Sequence, residues 1–168
     1  MPICTNAPAP FDNPNADVVL RTSDHVNFRT FKLILSLASP FFSSMFSLPQ
    51  SNAGEGGQGA LGQVKEQGLP VVPLTENSEV ITKMLTFCYP IGNPVLTTLE
   101  ESEELWGLGI KYDIGGLVSW VGVKLAEEKF LEQDPARTYI LACRYKAEDL
   151  ARTAARRITT GVVRSPGD

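Results

Sequence analysis

The sequence predicts a mixed α+β fold in which a small three-stranded sheet is capped by helices and followed by a C-terminal helical pair. Three observations carry this. Val18, Leu20 and Thr22 alternate with Val19 and Arg21, and Val26 and Phe28 repeat the alternation after the polar triplet Ser23, Asp24 and His25, which is the pattern of a hairpin. From Phe31 the apolar spacing changes to the helical period. After Leu74 that helical spacing recurs as far as Ile158, punctuated by proline and glycine.

The elements follow in order. Residues 1–16 carry Pro2, Pro8, Pro10 and Pro14 with little periodicity and read as a disordered or extended surface tail. The first strand, opened by Asp17, has apolar groups on both faces at Val18 and Val19, so it needs cover on more than one side. Phe31, Ile34, Leu35 and Ala38 form one short helix, and Ser39 with Pro40 restarts the chain as a second, bearing Phe42, Met45 and Phe46. Residues 49–68 hold Gly54, Gly56, Gly57, Gly59, Gly62 and Gly68 with few apolar side chains, the composition of a flexible insertion. No Gly-Lys-Ser or Gly-Lys-Thr closes it as a phosphate loop would require.

Leu69 to Leu74 supplies the third strand, and Pro73 marks it as an edge. Val80, Ile81, Met84, Leu85 and Cys88 share a helical stripe supported by a Glu79–Lys83 pair, and Pro90 ends it. Thr98 and Glu101 form a capping box ahead of Leu99, Leu105, Leu108 and Tyr112. Asp113 is placed to cap the next helix, which runs from Ile114 to Leu125 with a second apolar edge at Trp120 and Val123. Asp134 and Pro135 open a helix whose inward side is Tyr139, Ile140, Ala142 and Cys143. Lys146 or Ala147 begins the last helix, with Leu150, Ala151, Ala154 and Ile158 spaced for packing. The expected organisation is a tail at 1–16, a domain at 17–130 containing the insertion, a helical extension at 131–161 and a tail at 162–168.

Composition bounds the function. A chain of 168 residues can bury a core without metals or disulfides. A net charge of -4 and a pI of about 5.1 oppose general affinity for phosphate backbones or anionic lipid. Cys4, Cys88 and Cys143 are far apart and read as reduced thiols. With no leader-like start and no apolar run of membrane-spanning length, the expectation is an intracellular protein of the cytoplasm, the nucleus or both.

No catalytic constellation, cofactor motif or metal-ligand cluster stands out. His25 is the lone histidine and sits in the hairpin turn, where it reads as an exposed turn residue. Glu100, Glu101, Glu103 and Glu104 suit the first turn of a helix. Arg144, Arg152, Arg156 and Arg157 make the strongest basic patch, but without interleaved aromatics they read as a solvated helix face rather than a nucleic-acid site.

An ordered set of residues resembles the BTB/POZ domain, in the short form abundant in fungal proteins. The set is Asp17, Phe28, Lys32, Ile34 and Leu35, then Ser39, Pro40 and Phe42 with Met45 and Phe46, then Tyr89 and Pro90, then Lys111, Tyr112 and Asp113. The segment from Asp134 onward resembles the helical extension such proteins often carry. The resemblance implies a non-enzymatic protein-interaction module acting by homodimerisation, hetero-association or recruitment of cullin-3 ubiquitin ligases. It leaves three readings: a scaffolding or self-associating module, a cullin-3 substrate adaptor, and a transcription-associated oligomerisation domain. Phe31 departs from the histidine usual before Lys32, and Ser47, Leu48, Pro49 and Gln50 do not reproduce the apolar residue and glutamate of cullin-recruiting members. No long strand suited to exchange between subunits precedes Asp17. Phe41, Met45 and Leu48, at the rim of the first helices, are the candidate protein contacts.

Overall fold

The computed structural model describes residues 4–48 and 65–162, and the chain divides into two compact units, one up to Pro94 and one from Val95.

The first unit holds all the strands: β1 (Thr5–Asn6), β2 (Val18–Arg21), β3 (Val26–Thr30), β4 (Lys65–Glu66) and β5 (Leu69–Pro73). They form one sheet in the order β1-β3-β2-β5-β4. β2 and β3 make the antiparallel hairpin of the alternating pattern, with Leu20 opposite Phe28, while β2 and β5 run parallel with Leu20 opposite Val72. Val18, Val19 and Leu20 are all fully buried, as a strand apolar on both faces requires. The sheet therefore contains the expected three strands plus a two-residue strand at either rim.

Both additions correct the reading of the flanking segments. The proline-bearing start is not a free surface tail: Thr5 and Asn6 pair in parallel with Val26 and Asn27, and Ala7, Phe11 and Ala16 are buried. Phe11 sits edge-on to Tyr89, with ring centroids 5.4 Å apart, and 5.8 Å from the Phe28 ring. Proline blocks regular ladders, but it does not stop an intervening aromatic from packing. Residues 65–68 likewise leave the expected insertion, because Gln67 and Gly68 take positive φ values of 50° and 84° and turn β4 tightly into β5. Residues 49–64 lie outside the described residues.

Helices α1 (Lys32–Ala38), α2 (Pro40–Ser47) and α3 (Ser78–Cys88) complete this unit. Ser39 is the cap its position beside Pro40 predicts, its Oγ accepting from the Phe42 amide at 3.1 Å. Asn77 caps α3, and the Glu79–Lys83 pair is present at 3.3 Å.

The second unit is helical: α4 (Leu99–Lys111), α5 (Gly115–Leu125), α6 (Glu128–Gln133), α7 (Pro135–Arg144) and α8 (Glu148–Val162). Its core is built from Leu105, Trp106, Leu117, Val121, Leu125 and Phe130 with Leu141, Ala142 and Ala154. Thr98 accepts from the Glu101 amide, Glu101 in turn accepts from the Thr97 amide, and Asp134 caps α7 through the Arg137 amide at 2.9 Å. α6, six residues long, had no periodic signal of its own in the sequence.

Two expectations for this unit are overturned. Asp113 does not cap α5; it takes a φ of 50° while Ile114, with no side-chain cap, holds the N-cap position. Its amide donates to Ile110 and that of Ile114 to Gly109, which is the paired closure of a helix C-terminus through a left-handed residue. Asp113 thus ends α4. The inward side of α7 is Thr138, Leu141 and Ala142, whereas Tyr139, Ile140 and Cys143 are exposed. The threonine made the true stripe look polar, and its hydroxyl is satisfied by the Asp134 carbonyl.

Candidate protein-interaction surface

The two short helices α1 and α2 are fixed to the first unit from three directions. The start of α1 has no side-chain cap of its own, since Phe31 occupies the N-cap position. Instead the Lys32 amide donates to Asp17 Oδ1 at 2.7 Å and the Phe31 amide donates to the Tyr89 hydroxyl at 3.0 Å. Two separated family-motif residues therefore satisfy the donors that the phenylalanine leaves open. Leu35 and Phe42 anchor the pair in the core, and Lys32 Nζ lies 5.8 Å from the Phe46 ring centroid.

This pair leaves several large apolar side chains exposed. Leu33 is 68% exposed, Leu37 80%, Phe41 43% and Leu48 59%, four of the ten large hydrophobic side chains exposed among the described residues. Leu33 and Leu37 are four residues apart on one side of α1. Met45 is half-buried and belongs partly to the packing of α2. Sequence reasoning named Phe41, Met45 and Leu48 as contacts and missed Leu33 and Leu37, which fall outside the inward stripe of Phe31, Ile34, Leu35 and Ala38. The available signal was that α1, at seven residues, can turn only Leu35 and its neighbours inward.

The remaining motif residues are structural. Phe28 and Tyr112 are buried. Burial raises the Tyr89 phenol above its ordinary value, partly offset by the hydrogen bond it accepts from Phe31. Burial alone pushes the Cys88 thiol up to about 11, the opposite of what a nucleophile needs. His25 is exposed in the hairpin turn with a φ of 62°. Among the described residues no group of three His, Cys, Asp or Glu side chains could hold a metal, and no helix is long and apolar enough to cross a membrane.

The charged clusters are struts within the second unit. Arg137 bridges Glu100 and Glu103, Arg144 adds a contact to Glu103 at 2.6 Å, and Arg157 engages Glu128 at 2.6 Å. Arg152 pairs with Glu148. Much of the basic face of α8 is thereby neutralised locally.

No curated protein sequence matches this chain. The solved BTB domain of zebrafish PATZ1 is similar in structure at a TM-score of 0.47 and 18% identity, the match covering 66% of this chain and 75% of that one. The family model of the BTB/POZ domain matches residues 11–129, and the chain belongs to that family.

Proposed function

We propose that this chain self-associates through the outer face of α1 and α2, acting as a scaffolding module. As a BTB/POZ domain it is a protein–protein interaction module, and the observation that favours this face is the exposure of Leu33 and Leu37 on one side of α1. Burying a leucine fully contributes about 1.5–3 kcal/mol. Two such side chains brought against their own copies across a two-fold axis would supply the apolar centre of an isologous interface. Phe41 and Leu48 add two further exposed apolar side chains at α2, and Met45 is half-buried there.

The cullin-3 adaptor reading and the transcription-associated reading draw on the family alone. Leu48 offers an exposed apolar group, but Gln50 stands where a glutamate would be expected. The ion pairs of Arg152 and Arg157 weaken a nucleic-acid role for α8.

The test is light scattering on the full chain and on a Leu33→Asp/Leu37→Asp variant. The expected result is a dimer for the natural sequence and a monomer for the variant that still unfolds in one cooperative transition, because neither side chain contributes to the core; the natural chain's midpoint rises with protomer concentration and the variant's does not. A natural chain that stays monomeric at high concentration, or a variant that stays dimeric, refutes the proposal.

A further inference from the structure

The arginines of α8 stand in a definite order. Arg156 and Arg157 are followed by Ile158 and Thr159, so this hydroxyl has arginines three and two residues before it, and no other Ser or Thr of the chain does. No acidic residue lies between Leu150 and Thr160, although the chain as a whole carries a net charge of -4. Two guanidiniums at a fixed distance ahead of a hydroxyl suit a protein kinase with carboxylates along its peptide groove, because each arginine can make two parallel hydrogen bonds there.

The structure leaves these groups available. Thr159 is exposed, and Arg156 is exposed with no ion-pair partner among the described residues. Arg157 is held by Glu128 at 2.6 Å and by Glu132 at 3.5 Å, with 41% of its side chain exposed. Exposed pairs of this kind contribute little. Thr159 begins the last turn of α8, which ends at Val162, and its Oγ1 donates to carbonyls of its own helix, that of Arg156 at 2.9 Å and that of Ala155 at 3.3 Å. A kinase takes its substrate extended, so this end of the helix must open. From Arg156 to Thr160 no side chain is fully buried, whereas Ala154 is. Unwinding those residues gives up the half-buried Ile158 and the Arg157 pairs but no core side chain. Helix ends with few buried contacts open at small cost.

We propose that Thr159 is a phosphorylation site for a protein kinase that reads basic residues, and that the phosphate loosens the end of α8. In the transfer, Thr159 Oγ1 bonds to the γ-phosphorus of magnesium-bound ATP, the bond from that phosphorus to the β–γ bridging oxygen breaks, ADP leaves, and the hydroxyl proton passes to the catalytic base of the kinase. The product carries close to two negative charges at a helix carboxyl end, where the dipole is already negative. A pair with Arg156, three residues back, offsets only part of this. The site uses neither α1 nor α2, so it can fail separately from self-association.

The test incubates the full-length chain with magnesium ATP and the catalytic subunit of cyclic-AMP-dependent protein kinase, and maps the phosphate by tandem mass spectrometry. One phosphate on Thr159 is expected. Arg156→Ala, which removes a side chain that pairs with nothing among the described residues, lowers kcat/KM about tenfold or more. In the phosphorylated chain, hydrogen exchange of the amides from Ile158 to Val162 speeds up about two- to fivefold. No incorporation into the natural chain, a phosphate mapped to another residue, or Arg156→Ala phosphorylated at the natural rate overturns the acceptor site. Unchanged exchange after phosphorylation overturns the loosening of α8.

Discussion

Asp113 shows how one dihedral angle assigns a role that composition cannot. An aspartate just before an apolar helix has the signature of an N-cap, but this one is left-handed and closes the preceding helix. Lys146 does the same after α7, with a φ of 56° and amide bonds from Lys146 to Cys143 and from Ala147 to Ala142. The two roles make opposite predictions for glycine. In a left-handed position the Cβ is a burden, so Asp113→Gly is expected to stabilise the chain by about 0.5–1 kcal/mol. A capping carboxylate lost to glycine would instead cost a few tenths. Chemical denaturation of the variant, read as a midpoint shift at constant slope, decides the sign, and a lowered midpoint restores the capping role.

At the scale of the element, Asp24 ties the β2–β3 turn to the start of α3. Its two carboxylate oxygens accept from the Ser78 amide at 2.9 Å and the Ser78 hydroxyl at 2.6 Å. Partial burial works to raise its pKa, but the hydrogen bonds from Ser78, Thr22 and the backbone prevail and hold it below the ordinary value. A depressed carboxylate contributes stability that is present above its unfolded pKa, near 4, and is lost as pH falls through the lower folded value. Asp24→Asn is therefore expected to cost about 0.5–1 kcal/mol at pH 7, discounted for exposure, and less at low pH. Urea midpoints of both proteins at neutral and acid pH test this, and a gap that stays constant contradicts it. Most elements were legible because their signals are local: the alternation around the Ser23–His25 turn, the Ser39–Pro40 restart and the Asp134–Pro135 cap all stand as read. What was illegible depends on tertiary company. The stripe of α7 was misassigned because Thr138 hides its hydroxyl in its own helix, and Leu33 and Leu37 on α1 were passed over because exposure is not written in residue type.

For the whole molecule, the hydrophobic pattern identified a mixed fold and its order of elements, whereas partner and assembly depend on which apolar residues are left over after the cores are filled. Residues 49–64 are rich in glycine and offer little to bury, while Glu66 on β4 is joined to Arg21 on β2 at 2.9 Å. Replacing 50–64 by a short Gly-Ser linker is expected to preserve a single cooperative unfolding transition within about 1 kcal/mol, since loop-closure entropy varies slowly with length. Loss of cooperativity in a thermal scan would assign those residues a structural part. Finally, the parallel pairing of β5 has a consequence for the molecule among its neighbours. The Leu74 amide points to Arg21 on β2, so strand alternation aims the amide position of residue 73 at the outer rim. Residue 73 is proline and has no hydrogen there to give. A stray backbone arriving beside that residue finds one rung of the ladder without a donor, which weakens strand addition and amyloid-like stacking at this end of β5.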